Sequence, residues 1–411
     1  MLASDVTKAT DETATTPVVR RYYLYRATAT VGFITPIFTV FLLRDLSFSQ
    51  LGALSGLYSA LVVVGEIPTG YVGDRVGHRN SLVLGAGFKA ASLIGFVVAE
   101  TFPAFVVLYV FWAAGLTFDS GSKSAWLYET LAERLDESAF TRVRGRGEAI
   151  NRWIGAGTMV VGSLLYVVDP RIPFVAATGL TLVGLPVLLS LPEPGSAADR
   201  RVATDEIVGL VRRTLTGPSL RSFVGYTAIA LGTVSAAQLY VQPIAVNVLS
   251  DVDALDAVPP AATLGVLYAA FTALAAVASY YADVVEDRLG RRRTLLFLPV
   301  GAAAVMVLPM ALPVLAFPAF FAMRGVDPLV RPVVHAHLNE HVGTTGRATV
   351  ISASSMVFGL VRTPLSLAGG VLADATSALA AVAAFGGTFL VAGVGLWLVG
   401  GPVVGHVNRS D

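Results

Sequence analysis

Gly70–Leu82 reads GYVGDRVGHRNSL, and Glu286–Leu295 reads EDRLGRRRTL. Laid one on the other, Asp74-Arg75-Val76-Gly77-His78-Arg79-Asn80-Ser81-Leu82 falls on Asp287-Arg288-Leu289-Gly290-Arg291-Arg292-Arg293-Thr294-Leu295 without a gap. The two copies lie about half a chain apart in 411 residues, each between long apolar runs. A charged, glycine-bearing knot repeated in this way predicts two halves built on one plan. A weaker echo pairs Gly145-Arg146 with Gly346-Arg347.

The flanking runs set the class. Apolar residues make up 55% of the chain and charged ones only 14%, with a mean hydropathy of +0.69; soluble domains are about 25% charged. The runs are about 20 residues long, which lets an α-helix cross roughly 30 Å of hydrocarbon. The expected fold is therefore an all-α membrane protein. Its twelve transmembrane helices fall near 22–43, 50–72, 80–99, 104–126, 149–168, 172–191, 222–245, 261–282, 294–311, 313–334, 348–372 and 378–400. Turns such as Phe102–Pro103, Asp169–Pro170 and Leu312–Pro313 are short enough to force neighbouring helices antiparallel.

The polar segment 192–221 divides the spans six and six. This gives a tail over 1–21, an N-terminal six-helix bundle over 22–191 and a cytoplasmic linker over 192–221. A C-terminal six-helix bundle over 222–400 and a tail over 401–411 complete the plan. In the linker, Ile207, Leu210, Val211 and Leu215 share one helical face, away from Asp205, Glu206, Arg212 and Arg213. That pattern suits a short amphipathic helix on the membrane surface; a solvated linker is the alternative. The N-terminal tail lacks the basic-then-apolar order of a cleavable signal and reads as disordered.

Orientation follows from lysine and arginine, which concentrate in cytoplasmic loops. With the N-terminus inside, every such residue outside the spans is cytoplasmic except Arg44 and Arg171. Both termini are thus expected in the cytoplasm, with the chain multi-pass in the cell membrane. With no cysteine, disulfides, thiolate catalysis and cysteine metal sites are excluded. No G-x-x-x-x-G-K-[ST] occurs, so the chain is no P-loop ATPase. Arg288 with Arg291–Arg293 is better explained by positive-inside anchoring than by nucleic acid. His337-Leu338-Asn339-Glu340-His341 fits an H-x-x-E-H zinc pattern. It lies where the tenth span leaves the membrane, without a soluble domain to form a cleft, so no metal or cofactor is expected.

At the repeated knot the chain resembles the major facilitator superfamily. The family signature G-x-x-x-D-R-x-G-R-[RK] is met by Gly70, Asp74, Arg75, Gly77 and Arg79, with His78 at the first basic position of the final pair. Glu66-Ile67-Pro68-Thr69-Gly70 is similar to the E-x-P-x-G that precedes this loop in many members, drug exporters among them. Phe118-Asp119-Ser120-Gly121, Ala125-Trp126-Leu127-Tyr128-Glu129, Gln242-Pro243 and Asn339 with Arg347-Ala348-Thr349-Val350 resemble one prokaryotic branch. The resemblance implies two pseudo-symmetric six-helix bundles with spans 1, 4, 7 and 10 lining a central cavity. It also implies that Asp74, Arg75 and Arg79 latch the cytoplasmic side during alternating access. Glycines suit that role because they let helices turn sharply and approach closely, and arginines can bridge to carboxylates. The second copy, with Asp287, Arg288, Gly290 and Arg292, lacks counterparts of Gly70 and Glu66 and is expected mainly to anchor. Span 5 carries Gly155, Gly157 and Gly162 but lacks the proline of the drug–proton exporter signature G-P-x-x-G-G.

Charges at membrane depth are costly and usually have a role. They are Arg26 in span 1, Glu66 in span 2, Lys89 in span 3, Asp119 and Lys123 in span 4, Arg324, Asp327 and Arg331 in span 10, and Arg362 in span 11. Asp119 and Lys123 share one helix face, as do Arg324, Asp327 and Arg331. With Gln238 and Gln242 of span 7, and Tyr22 or Arg26 of span 1, these residues are candidates to line the substrate cavity. The competing reading is a set of structural bridges, favoured for Lys89 on an outer helix. Glu66, Asp119 and Asp327 are the candidate proton carriers, because buried carboxyls can titrate near neutrality. Cations outnumber acids among the nine, which leans toward anionic or zwitterionic solutes.

The expected function is secondary active transport of a small solute by alternating access, coupled to protons or another ion, by a monomer in the lipid bilayer. It is not an enzyme. Efflux of a lipophilic or drug-like compound leads on the likeness over Glu66–Arg79, and uptake of an organic anion or zwitterion by symport is the alternative. A non-transporting membrane sensor and an intramembrane lipid-modifying enzyme are the readings from other classes. Alkaline phosphatase fused to either terminus is expected to be inactive, and active when inserted beside Arg44 or Arg171; the opposite pattern would invert the topology.

Overall fold

A computed structural model describes residues 16–195, 218–251, 258–341 and 347–400, and the described residues form helices and turns with no strand. The first predicted span comprises α1 (Pro17–Thr28) and α2 (Phe38–Leu42). It is followed by α3 (Phe48–Val76), α4 (His78–Val98), α5 (Phe102–Arg134), α6 (Phe140–Val168) and α7 (Ile172–Leu189). Next come α8 (Pro218–Ala237) and α9 (Val241–Ser250), joined by one 3₁₀ turn, then α10 (Pro260–Tyr280), α11 (Ala282–Leu289) and α12 (Arg291–Val307). The last are α13 (Ala316–His341), α14 (Arg347–Ala375), α15 (Ala378–Thr388) and, after a π turn, α16 (Val394–Gly400). The linker residues Ile207, Leu210, Val211 and Leu215 lie outside the described residues.

Ten of these stretches are long and apolar enough to cross a membrane. The predicted spans 22–43 and 149–168 are not among them. The second belongs to α6, which starts nine residues earlier than expected and carries Arg142, Arg144, Arg146, Glu148 and Arg152. The first is a correction: it is not one helix. Pro36 has no N–H to donate, and the Gly32 N–H bonds to Thr30 Oγ1 at 3.1 Å instead of continuing the helix. The unwound piece fits because α6 offers glycines. A Cβ at Gly162 would stand 1.9 Å from Phe33 O, and one at Gly32 would stand 2.5 Å from Gly155 O. Beyond the break, α2 is held by aromatic packing, with Phe41 on Phe174 at 4.2 Å and Phe38 on Phe96 at 5.3 Å.

The repeated knot has the same backbone in both copies. Instead of the loop expected at 73–79, α3 runs to Val76, Gly77 alone makes the turn with φ of 91°, and α4 starts at His78. Gly290 does the same between α11 and α12 with φ of 78°. These are the only positive φ values among the described residues. A side chain is strained in that conformation, so both positions call for glycine.

The chain divides into two compact units. One holds Met1–Phe41, Leu61–Arg200 and Ala261–Ala269; the other holds Leu42–Ala60, Arg201–Pro260 and Ala270–Asp411. The core of the first unites Tyr22, Tyr25, Leu82, Trp126, Leu131, Val143 and Leu188. That of the second unites Phe223, Tyr226, Leu295, Val330, Val334, Phe389 and Trp397.

Replacing Gly77 by alanine would add a Cβ 2.4 Å from the Glu193 carboxylate, whereas Gly290 has open space around it. Backbone strain alone costs about 1–3 kcal/mol at such sites. Gly77→Ala is therefore expected to lower the thermal unfolding temperature of the purified chain more than Gly290→Ala. Equal losses would mean that the contact with Glu193 adds nothing.

Candidate functional site

Inside the first unit, acids and bases from three helices form one continuous network. Tyr25 Oη on α1 donates to Asp119 Oδ1 on α5 at 2.8 Å. Lys123 Nζ, one turn on, stands 3.8 Å from Asp119 Oδ2 and 3.6 Å from Glu148 Oε1 on α6. Glu148 Oε2 accepts from Arg26 Nη2 on α1 at 2.9 Å. Asn151, one turn beyond Glu148, donates to the Arg26 carbonyl oxygen at 2.9 Å and so ties α6 to the end of α1. Beside this network a cavity of about 20 Å³, room for about one water, is lined by Tyr25, Thr28, Lys89, Asp119, Thr181 and Gly184 among others. The outer-helix lysine therefore shares a chamber with Asp119.

The Gly77 turn supports a second cluster. The Arg79 backbone N–H donates to Glu193 Oε1 at 3.1 Å, its Nε pairs with Glu193 Oε2 at 3.3 Å, and its Nη1 donates to Leu191 O at 3.2 Å. Three further bonds hold the segment that follows α7. Arg21 donates to Ser190 O at 2.8 Å, Trp126 Nε1 to Pro192 O at 2.8 Å, and Gly195 N to Glu133 Oε2 at 3.1 Å. His78 Nε2 lies 3.4 Å from Glu129 Oε1. Arg75 is exposed and sits over the Tyr71 ring at 4.4 Å. Gly70 meets open space, and Glu66 is half-buried on α3.

In the second copy the ion pairs are made by Arg291. Asp287, Arg288 and Arg292 are exposed, while Arg291 pairs with Glu286 at 2.7 Å and with Glu340 on α13. Glu340 and His337, which packs its ring 4.2 Å from Phe223, are both engaged within the H-x-x-E-H stretch.

In the second unit Arg331 clasps Asp327 through two bonds of 2.6 and 3.2 Å along α13. Arg324, on the same helix, lies 5.3 Å from the Phe271 ring on α10. Gln242 is buried on α9, and Gln238 is half-buried in the 3₁₀ turn. Arg362 donates to Ser55 Oγ at 3.1 Å. Asp374, near the end of α14, accepts from the N–H groups of Phe48 and Ser49 at 2.9 and 2.8 Å and from the Ser49 hydroxyl. It caps the open first turn of α3, and its neighbours come close: a Cβ at Gly370 would meet Phe48 O at 2.4 Å.

Sequence reasoning missed Glu148, Asn151, Glu193 and Asp374. Glu148 falls just before the span predicted from 149, and Asn151, being uncharged, carries no signal of an intramembrane ion. The start of α6 has a local signal: Asp136 accepts from the Ser138 hydroxyl and amide, which hold its carboxyl below the ordinary value, and α6 begins two residues later.

The long apolar helices, the repeated glycine turns and the family match over residues 27–250 are those of a multi-pass membrane transporter of small molecules. The chain belongs to the major facilitator superfamily, whose model matches residues 27–250, more than half of its length. Its fold is similar to that of a mutant of the nucleoside transporter NupG, with a TM-score of 0.78 at 10% identity over 93% of this chain and 99% of that one. A bacterial homologue of the human lysosomal transporter Spinster gives 0.69 at 14% over 93% and 94%. A D-xylose–proton symporter gives 0.60 at 15% over 92% and 95%. No curated protein matches the chain in sequence.

Asp374→Ala removes the cap on α3 and is expected to destabilise the chain by about 0.5–2 kcal/mol. Asp374→Asn, which still accepts hydrogen bonds, should lose less. Thermal unfolding of the purified variants checks the order; equal losses would show that the charge, not the cap geometry, matters.

Proposed function

We propose that the protein is a proton-coupled secondary transporter working by alternating access as a monomer in the cell membrane, with both termini cytoplasmic. The domain plan is two six-helix bundles, 22–191 and 222–400, joined by the linker 192–221. The observation that carries the reading is the network from Tyr25 through Asp119, Lys123 and Glu148 to Arg26. Ionisable groups at membrane depth mark substrate and proton pathways, and two of the three helices that carry this chain of them, spans 1 and 4, are predicted to face a cavity. Asp119 holds both a tyrosine hydroxyl and an ammonium, so a proton arriving at its carboxylate weakens its hold on Lys123. Lys123 then turns wholly to Glu148. Asp327 with Arg331 is the corresponding acid–base pair of α13, and Glu66 is the third candidate carrier.

The remaining candidates keep their proposed roles. Arg26, Lys123, Gln238, Gln242, Arg324 and Arg331 contribute to solute binding. Gly70, Asp74, Arg75, Gly77 and Arg79 form the gate, with Asp287, Arg288, Gly290 and Arg292 as its anchor. The grip of Arg79 on Glu193 supports a gate that reads the start of the linker. Efflux of a lipophilic compound rests on the exporter likeness over Glu66–Arg79. The charged network favours the second reading, symport of an organic anion or zwitterion.

A thermal-shift screen over metabolites and drugs finds the solute, since a ligand that binds the folded state raises its unfolding temperature. In proteoliposomes an imposed pH gradient should then drive flux of that solute, abolished by Asp119→Asn and by Asp327→Asn. Flux indifferent to both would remove them as coupling residues, binding without flux would indicate a sensor, and chemical conversion an enzyme.

A further inference from the structure

The bond between Arg26 and Glu148 is incomplete on both sides. Arg26 is buried, with 4% of its side chain exposed, yet Glu148 reaches it with a single oxygen, at Nη2. The other Glu148 oxygen is drawn to Lys123 at 3.6 Å. The Arg26 Nε–H is buried with no hydrogen-bond partner. A guanidinium presents a planar fork suited to both oxygens of one carboxylate or phosphate, and an unmet buried donor is costly to keep. The site therefore holds more donor capacity than Glu148 fills. Glu148 is also the most exposed member, at 36%, and so stands on the open side of the buried cation. Asn151, one turn further along α6, holds the Arg26 backbone, so the fork stays in place when its partner leaves.

We propose that Glu148 is an internal stand-in for the anionic group of the solute. A carboxylate- or phosphate-bearing molecule takes the Arg26 fork through Nε and Nη2 and displaces Glu148, which remains on Lys123. No covalent step is involved; one oxyanion replaces another. The charges around the fork are balanced for this exchange. Arg26 and Lys123 face Glu148 from α1 and α5, while Asp119 is occupied by Tyr25 and Lys123. This inference rests on the transport reading above and names the solute class for the same site.

The test is anion-dependent thermal stabilisation of the full-length chain in detergent, with inorganic phosphate and succinate as probes and sodium chloride at equal ionic strength as reference. Glu148→Gln removes the anion that competes for the fork and leaves only a neutral amide beside it, so it should be stabilised by phosphate or succinate at a midpoint concentration at least tenfold below that of the wild type. Which of the two works tells phosphate from carboxylate chemistry. The double variant Arg26→Gln/Glu148→Gln should lose the gain. Should Glu148→Gln fail to fold, Glu148→Asp keeps the charge but shortens its reach to Arg26, and a smaller gain in the same direction is expected. A folded variant with no gain beyond that in chloride overturns the proposal, as does a double variant that keeps it. Binding is read here without flux. Anion binding in vesicle preparations that move nothing would remove transport and keep this site, and absence of binding would remove the site and leave transport standing.

Discussion

A charge taken out of water is costly unless a counter-charge meets it where it is buried. Much of the first unit follows from that constraint. Arg26 and Lys123 are brought to one carboxylate, Glu148, and Asp119 is shared between an ammonium and a phenol. Three helices have to meet at fixed heights for these distances to close. The small residues of α6 make the meeting possible: Gly147 lies against the Tyr22 ring, and Gly155 and Gly162 admit the unwound backbone of the first span. The break in that span is thus part of the same arrangement, since it ends α1 just beyond Arg26 and leaves the Arg26 carbonyl to Asn151.

The same constraint acts differently nearer the surface, where partly exposed ion pairs are worth little singly. Arg79 and Glu193 are each about a quarter exposed, so their pairing contributes modestly as a charge interaction. Its value lies in geometry. It is one of several bonds on the stretch from Ser190 to Gly195, and together they give that stretch one path.

Much of this was legible from residue order alone. Hydrophobic runs reported the helices, and the doubled knot reported two matching turns at Gly77 and Gly290, because a glycine forced into positive φ leaves a mark in sequence that a flexible loop does not. The intramembrane charges were legible as a list, and the pairing of Asp119 with Lys123 and of Asp327 with Arg331 followed from helical spacing. What could not be read was the partner across helices. Glu148 lies where the sequence reads as loop, Asp374 meets residues more than 300 positions away, and Arg324 lies against the Phe271 ring of another helix. Contacts of that kind depend on how helices rotate against one another, which periodicity leaves open. The interrupted first span was hidden for a related reason: apolar residues on both sides of the break carry the same signal as a continuous helix.

The one-residue turns at Gly77 and Gly290 have a mechanical side. A connector of one residue offers two soft torsions, and both are already committed to a narrow glycine-only basin. Little slack then remains between the helix that ends there and the one that begins, so each pair behaves as a stiff bent lever. A tilt imposed on α11 passes to α12 with little loss, and one imposed on the end of α3 passes to α4. Under the alternating access proposed above, such a joint transmits displacement where a longer loop would absorb it.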